Sequence, residues 1–247
     1  MSTLELDIKK FNINGNFSTS IDNKAFEELN RDPFWIAKNF AIQNRKPFQQ
    51  KIKRLIDFTA SLLGLIALSP LFLLIATLIK LDSKGPAVFK QERVGQFGKK
   101  FFIYKFRSME QNAEEKLESL VKYNESNNIT MFKLSDDPRI TKMGKFIRKY
   151  SIDELPQLFN VLMGEMSLVG PRPLPNKLEE YKSWHYLRFA KLPGLTGMWQ
   201  VCGRSNIKDF DTVVSLDSRY VNDWSILLDL KLLLKTIPVV IYGKNSV

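Results

Sequence analysis

The sequence predicts an α+β fold, mostly helical and membrane-associated, in which a small β-hairpin, a re-entrant membrane helix hairpin and amphipathic interfacial helices accompany one cytosolic domain. Three observations carry this expectation. From Phe58 to Ile79 the chain runs 22 residues without a charge. "AVFKQERV" and "KKFFIYKFRSM" alternate across "GQFG", as a hairpin requires. Elsewhere apolar residues recur three and four apart, the spacing of one helix face.

In chain order, residues 1–50 form a polar extension, in which "NINGN" reads as a loop and "DNKAFEELNRDPFW" as short helical pieces. No basic start, apolar core and small-residue cleavage site are combined there, so the amino terminus is expected to stay cytosolic. Residues 51–82 contain the uncharged segment, which as a straight helix covers about 33 Å at about 1.5 Å per residue, enough for a bilayer core of about 30 Å. Ser69-Pro70 interrupts it near the middle, where proline removes a backbone bond to Ile66 and bends the helix. Ser69 can offer its hydroxyl to a local carbonyl. Lys51, Lys53 and Arg54 precede the segment and Lys80, Lys84, Lys90 and Arg93 follow it, so the positive-inside rule wants both ends cytoplasmic. A re-entrant hairpin meets these demands; a plain spanning helix and a buried core helix are the competing readings.

Residues 83–247 read as the cytosolic domain. Its hairpin is expected to put Lys105 and Arg107 on one face. "NAEEKLESLVKY" is a surface helix, "SDDPRI" a turn into the helix around "TKMGKFIRKY", and 151–163 a further helix. Gly170-Pro171-Arg172-Pro173 fixes a rigid loop displaying one guanidinium. "LPGLTGMWQVCGR" is a glycine-punctuated strand or loop ending at Arg204. "WSILLDLKLLLKTIPVVIYG", broken by Asp229, Lys231 and Lys235, suits a membrane surface.

The chain has 247 residues with 44% hydrophobic content, ordinary for a protein with a core, which excludes wholesale disorder. Cys202 and His185 are the sole residues of their types. An internal disulfide is impossible, a structural zinc site is not expected, and His185 reads as a packed or surface residue. Acid-base work therefore falls to carboxylates, and a metal would be a hard, oxygen-liganded ion such as Mg²⁺. The net charge of +11 lies in the main body, since residues 1–50 hold 7 basic and 6 acidic residues. It implies an anionic partner, and no recognised nucleic-acid motif accompanies it.

Within this cationic body "SIDELPQ" sets Asp153 beside Glu154. Ser151-x-x-Glu154 before Leu155, Leu158, Phe159 and Leu162 is a capping box. The same carboxylates, with Lys105, Arg107, Arg148, Arg172 and Arg204 in turn or helix-end contexts, also match what a diphosphate substrate needs: cations for phosphoryl oxygens and a carboxylate for a divalent ion.

"KRLIDF", the segment with Ser69-Pro70, "VFKQERVG", "FFIYKFRSM", "DPRITKMGKFIRKYSIDELPQLFNVLMGEMSLVGPRP", "LPGLTGMWQVCGR" and "LLDLKLL" follow one another from Lys51 to about Gly243. In that order they resemble the bacterial sugar transferases, or monotopic phosphoglycosyl transferases. The resemblance implies transfer of a sugar phosphate from a UDP-sugar to undecaprenyl phosphate, releasing UMP, the first membrane step of polysaccharide or glycoconjugate assembly. It implies an aspartyl phosphosugar intermediate, with the dyad on Asp153 and Glu154, Mg²⁺ on Glu154, and substrate held by Lys105, Arg107, Arg148, Arg172 and Arg204. It also implies a monotopic protein on the cytoplasmic face of the bacterial inner membrane, and a homo-oligomer is compatible with it. The insert between Arg107 and Asp136 resembles larger members that transfer glucose- or galactose-phosphate. A non-catalytic scaffold on anionic lipid is the alternative, and it would leave Asp153 and Glu154 dispensable.

Overall fold

The computed structural model describes residues 31–123, 137–175, 181–203 and 209–242, together with Glu28, Leu134, Leu178 and Ile207. The described helices are α1 (Trp35–Gln43), α2 (Pro47–Asp82), α3 (Leu117–Leu120), α4 (Lys142–Lys149), α5 (Leu158–Met163), α6 (Met198–Cys202), α7 (Phe210–Asp223) and α8 (Ile226–Tyr242). Strands β1 (Val88–Val94) and β2 (Lys100–Phe106) pair antiparallel from Val88↔Phe106 to Val94↔Lys100. Short β3 (Ser167–Val169) and β4 (Gly194–Thr196) pair in parallel. The expected helical α+β composition and the hairpin are therefore present. The surface helix expected over "NAEEKLESLVKY" is shorter, α3 followed by a 3-10 turn over Val121–Tyr123.

α2 is one continuous helix of 36 residues with Pro70 inside, about 54 Å long at about 1.5 Å per residue. It begins four residues before the expected boundary, with Pro47 at its first turn. Ser69 Oγ donates to the Ile66 carbonyl at 2.8 Å, so the acceptor that Pro70 deprives of its backbone donor is satisfied from the neighbouring side chain. Ladder continuity across Pro70 follows from that local repair, and two helices joined by a loop are not seen.

One stripe of α2 touches the domain along its length. Asp57, Ser61, Ile75 and Ile79 are buried, three to four residues or multiples of that apart. Lys53 Nζ donates to Asp229 at 2.7 Å and to the Val169 carbonyl at 3.2 Å, and Asp57 accepts from Leu168 N at 3.1 Å. Arg54 donates to the Val161 and Leu162 carbonyls at 2.6 and 2.7 Å, closing the carboxyl end of α5. Near its other end Ile75 and Ile79 pack with Phe106 and Ile147, and Asp82 accepts from Met143 N at 3.1 Å. Much of the remaining surface of the helix, including Phe58, Leu63, Ile66, Leu73 and Leu81, faces outward. Its most apolar 18-residue window is only 11% buried, which rules out the core-helix reading. Lys53 and Arg54, expected as topology signals, are ligands of the fold.

Among the described residues the largest core cluster gathers Phe40, Tyr186, Phe189, Tyr220, Val221 and Trp224, joining α1, the carboxyl half of α7 and the 3-10 segment Ser183–Ala190. Asn160 ties α5 to β2 by accepting from Tyr104 N at 3.1 Å and donating to the Phe102 carbonyl at 2.7 Å. α4 docks through Gly144, where an added Cβ would lie 1.9 Å from the Ser108 carbonyl oxygen. Alanine normally favours a helix interior over glycine by about 1 kcal/mol. Here Gly144→Ala is expected to destabilise the protein by about 3 kcal/mol or more, read as a lower unfolding midpoint in detergent. An unchanged or higher midpoint would contradict this close approach.

Candidate active site

α4 is N-capped by Thr141, whose hydroxyl accepts from Gly144 N at 3.0 Å, and ends at Lys149 with Arg148 in its last turn. Ser151 then adopts φ 56°, a left-handed conformation that reverses the chain. Asp153 and Glu154 follow in a 3-10 turn, Ile152–Gln157, and α5 begins only after it. The capping box is not formed: Ser151 makes no side-chain cap bond, and Glu154 reaches across to two cations instead. Those ion pairs outweigh one neutral cap bond.

Lys105 Nζ donates to Glu154 Oε1 at 3.0 Å. Arg172 Nη1 donates to Oε2 at 3.0 Å and its Nη2 to Oε1, a two-pronged contact from the Gly-Pro-Arg-Pro loop. Burial opposes ionisation of Glu154, but Arg172 and Lys105 together hold its carboxyl well below the usual range. Asp153, nine-tenths buried, behaves oppositely. Burial and the Glu154 charge push its pKa up to about 6, against the pull of Lys105, Arg148 and Arg172. The pKa values of two adjacent carboxylates are thus driven apart, Glu154 downward and Asp153 upward.

Lys105, Arg148 and Arg172 therefore converge on the dyad. Arg107 does not: its Nη2 donates to the Ser83 carbonyl and hydroxyl at 2.7 and 2.9 Å, at the end of α2. β2 stops at Phe106, so strand alternation no longer governs residue 107, and the unpaired carbonyls of a helix end recruit its guanidinium. Arg204 lies outside the described residues. Ser69 and Pro70 belong to the exposed middle of α2. His185 is packed as expected, accepting at Nδ1 from Lys182 N and facing Asp211 through Nε2, and burial lowers its pKa to about 4.

The Arg172 loop has supports that nothing in the local sequence marked. Arg188 Nη2 donates to the Arg172 carbonyl and to Asp217 Oδ2, both at 2.5 Å, while its Nη1 donates to the Tyr181 hydroxyl at 2.9 Å. Arg188 and Asp217 are both buried. The Arg172 guanidinium also sits over the Trp199 ring, 5.7 Å from its centroid. Beneath the loop, β3 and β4 meet so closely that a Cβ on Gly194 would lie 2.1 Å from Gly170 N.

No group of three or more His, Cys, Asp or Glu side chains is placed to hold a metal among the described residues. A site completed by substrate still fits. Glu154 uses three contacts of about four acceptor positions, Asp153 lies next to it, and Mg²⁺ characteristically takes one or two carboxylates plus water and phosphate oxygens. A divalent charge would also favour ionised Asp153.

A family model described as bacterial sugar transferase matches residues 48–243. The chain is 50% identical over 195 residues to the galactosyl transferase CpsE of Streptococcus agalactiae, covering 78% of this chain and 43% of that protein. It is 43% identical over 198 residues to the exopolysaccharide production protein ExoY of Sinorhizobium fredii, covering 78% and 87%. It is 46% identical over 207 residues to the undecaprenyl-phosphate galactose phosphotransferase of Salmonella typhimurium, covering 81% and 43%. The chain thus spans less than half of two of these relatives and most of the third.

The environment of Asp153 has a thermodynamic consequence. Its folded pKa of about 6 exceeds the ordinary value of about 3.9. The folded state therefore loses stability from this group as pH rises from about 4 to about 6, and carries the whole penalty above that. Asp153→Asn is expected to raise stability by about 1–3 kcal/mol at pH 7.5 and hardly at all at pH 4, measured by unfolding across that range. Lower stability of the variant at pH 7.5 would contradict the assigned environment.

Proposed function

The chain belongs to the bacterial sugar transferase family, and from that premise we propose that it transfers a sugar-1-phosphate from a UDP-sugar to undecaprenyl phosphate. The observation that carries this reading is the carboxylate dyad, in which partly buried Glu154 is locked as an anion by Lys105 and Arg172 while buried Asp153 stands beside it under a raised pKa. The sugar is proposed to be galactose or glucose, following the galactose named in the Salmonella relative and the resemblance of the 107–136 region.

In the proposed reaction an oxygen of ionised Asp153 attacks the β-phosphorus in line with the bridging oxygen. The β-phosphorus to bridging-oxygen bond breaks, UMP departs with the electron pair, and the sugar phosphate remains on the carboxylate as an acyl phosphate. An oxygen of undecaprenyl phosphate then attacks the same phosphorus, and the Asp153 carboxylate leaves unchanged. The acyl phosphate conserves the energy of the cleaved anhydride, so no other input is needed. Arg148 favours ionised Asp153, and Arg172 and Lys105 offer N–H donors to phosphoryl oxygens that displace part of their contact with Glu154. Mg²⁺ held by Glu154, with Asp153 adjacent, would neutralise charge developing on those oxygens.

Membrane association is part of the proposal. The lipid acceptor carries its phosphate at headgroup depth, where a monotopic enzyme on the cytoplasmic face of the inner membrane would meet it. In support, both ends of α2 are bonded to one domain, while its remaining surface and Leu227, Leu230, Leu234, Ile237 and Ile241 of α8 are exposed apolar groups.

Two outcomes are expected. With Mg²⁺ and the right UDP-sugar but no lipid acceptor, the enzyme should release about one UMP per active site and stall, and Asp153→Asn should abolish that burst. Absence of any UMP until acceptor is added would refute the covalent route. For topology, cysteines replacing Gln43 and Lys84 in a Cys202→Ser background should both react from the cytoplasmic side in membrane vesicles. Reaction from opposite sides would make α2 a spanning helix.

A further inference from the structure

Arg93 is the one residue of the "QERVG" stretch whose state the proposed chemistry leaves unexplained. It is 8% exposed, and its Nε and Nη1 groups have no hydrogen-bond partner, while Nη2 donates to the Gln91 side chain. Burying guanidinium N–H groups without acceptors is costly, and native folds seldom do so without a reason.

Its position supplies one. In the hairpin register Arg93 opposes Phe101 and Phe89 opposes Lys105, so Arg93, Phe101, Ile103 and Lys105 share a face. Phe101 and Ile103 on that face pack against Val161 and Met166, beside the dyad turn. Lys105 reaches Glu154 from one end of the face, and Arg93 stands at the other. Val94 and Gly95, which follow Arg93 in the chain, line a cleft together with Pro171, Arg172 and Pro173.

We propose that Arg93 is a phosphate-binding residue, closing the anion site from the side opposite Lys105 and giving its free N–H groups to a phosphoryl oxygen of the substrate. The inference rests on the phosphoryl-transfer reading above and adds a ligand contact to it. Charge agrees: burial and the neighbouring Arg172 lower the Arg93 pKa to about 10, with Glu154 opposing, so it stays protonated and gains from an incoming anion. The shared ligand chemistry is a phosphate mono- or diester, from either the nucleotide or the lipid acceptor.

The test measures binding of inorganic pyrophosphate, UDP and a short-chain polyprenyl phosphate to full-length protein in detergent, in wild type, Arg93→Met and Arg93→Lys. Methionine removes a buried charge that lacks acceptors, so Arg93→Met should fold with an unchanged or higher unfolding midpoint. It should also bind pyrophosphate about 10- to 100-fold more weakly, as loss of a charged hydrogen bond entails. Lysine should recover little of this, since one ammonium cannot reproduce the guanidinium geometry. Weakened UDP binding alone would assign the contact to the nucleotide, and weakened polyprenyl phosphate binding alone to the acceptor. Wild-type affinity of folded Arg93→Met for all three ligands would overturn the proposal. Failure of both variants to fold would overturn it too, because Arg93 would then be satisfied within the free protein. Pyrophosphate needs no turnover, so this result stands even if no UDP-sugar proves to be a substrate.

Discussion

The largely desolvated negative charge of Glu154 is the constraint from which the site is built. An ion removed from water needs compensation of several kcal/mol, and here it comes from two cations on separate elements, Lys105 of β2 and Arg172 of the Gly-Pro-Arg-Pro loop. Each cation must be delivered accurately. Asn160 bonds β2 to the helix after the dyad, which fixes Lys105. Arg188, paired with buried Asp217, holds the Arg172 carbonyl, and the close approach of Gly194 in β4 to Gly170, just after β3, shapes the start of the loop. Removing one partner would strand an unpaired charge, so these supports act as a unit. With Glu154 held as an anion, its charge adds to burial in raising the pKa of Asp153, so the two neighbouring carboxylates are shifted in opposite directions.

α2 joins this site to its surroundings. Arg54 caps α5, the helix that follows the dyad turn, and Arg107 caps α2 itself. The polar network of Lys53, Asp57, Asp229, Tyr220 and Trp224 ties its first half to α8 and β3. An apolar helix bonded to one domain at both ends cannot move independently of the chemistry. On the proposed function, that rigid attachment would hold the site at a fixed distance from the surface where a lipid acceptor carries its phosphate.

Much of this was legible from residue types. The hairpin followed from alternation across "GQFG", and the site cations Lys105, Arg148 and Arg172 from their turn and helix-end contexts near Asp153-Glu154. The Ser69 hydroxyl bond to Ile66 followed from what Pro70 leaves unpaired. Other features depended on tertiary partners. Ser151-x-x-Glu154 has the letters of a capping box, but a left-handed Ser151 and two distant cations decide otherwise. Arg107 shares a nominal strand face with Lys105, yet the strand ends one residue before it. Asn160, Arg188 and Asp217 carry no local signal, since their roles exist only once elements far apart in sequence meet.

The central claim is that the phosphorus changes partners twice, first to Asp153 and then to the lipid acceptor. The most direct measurement is the stereochemical course at a β-phosphorus made chiral with sulfur and oxygen isotopes. Each in-line displacement inverts configuration, so two in succession give net retention in the lipid-linked product. Net inversion would mean direct attack by the acceptor, leaving Asp153 no covalent role.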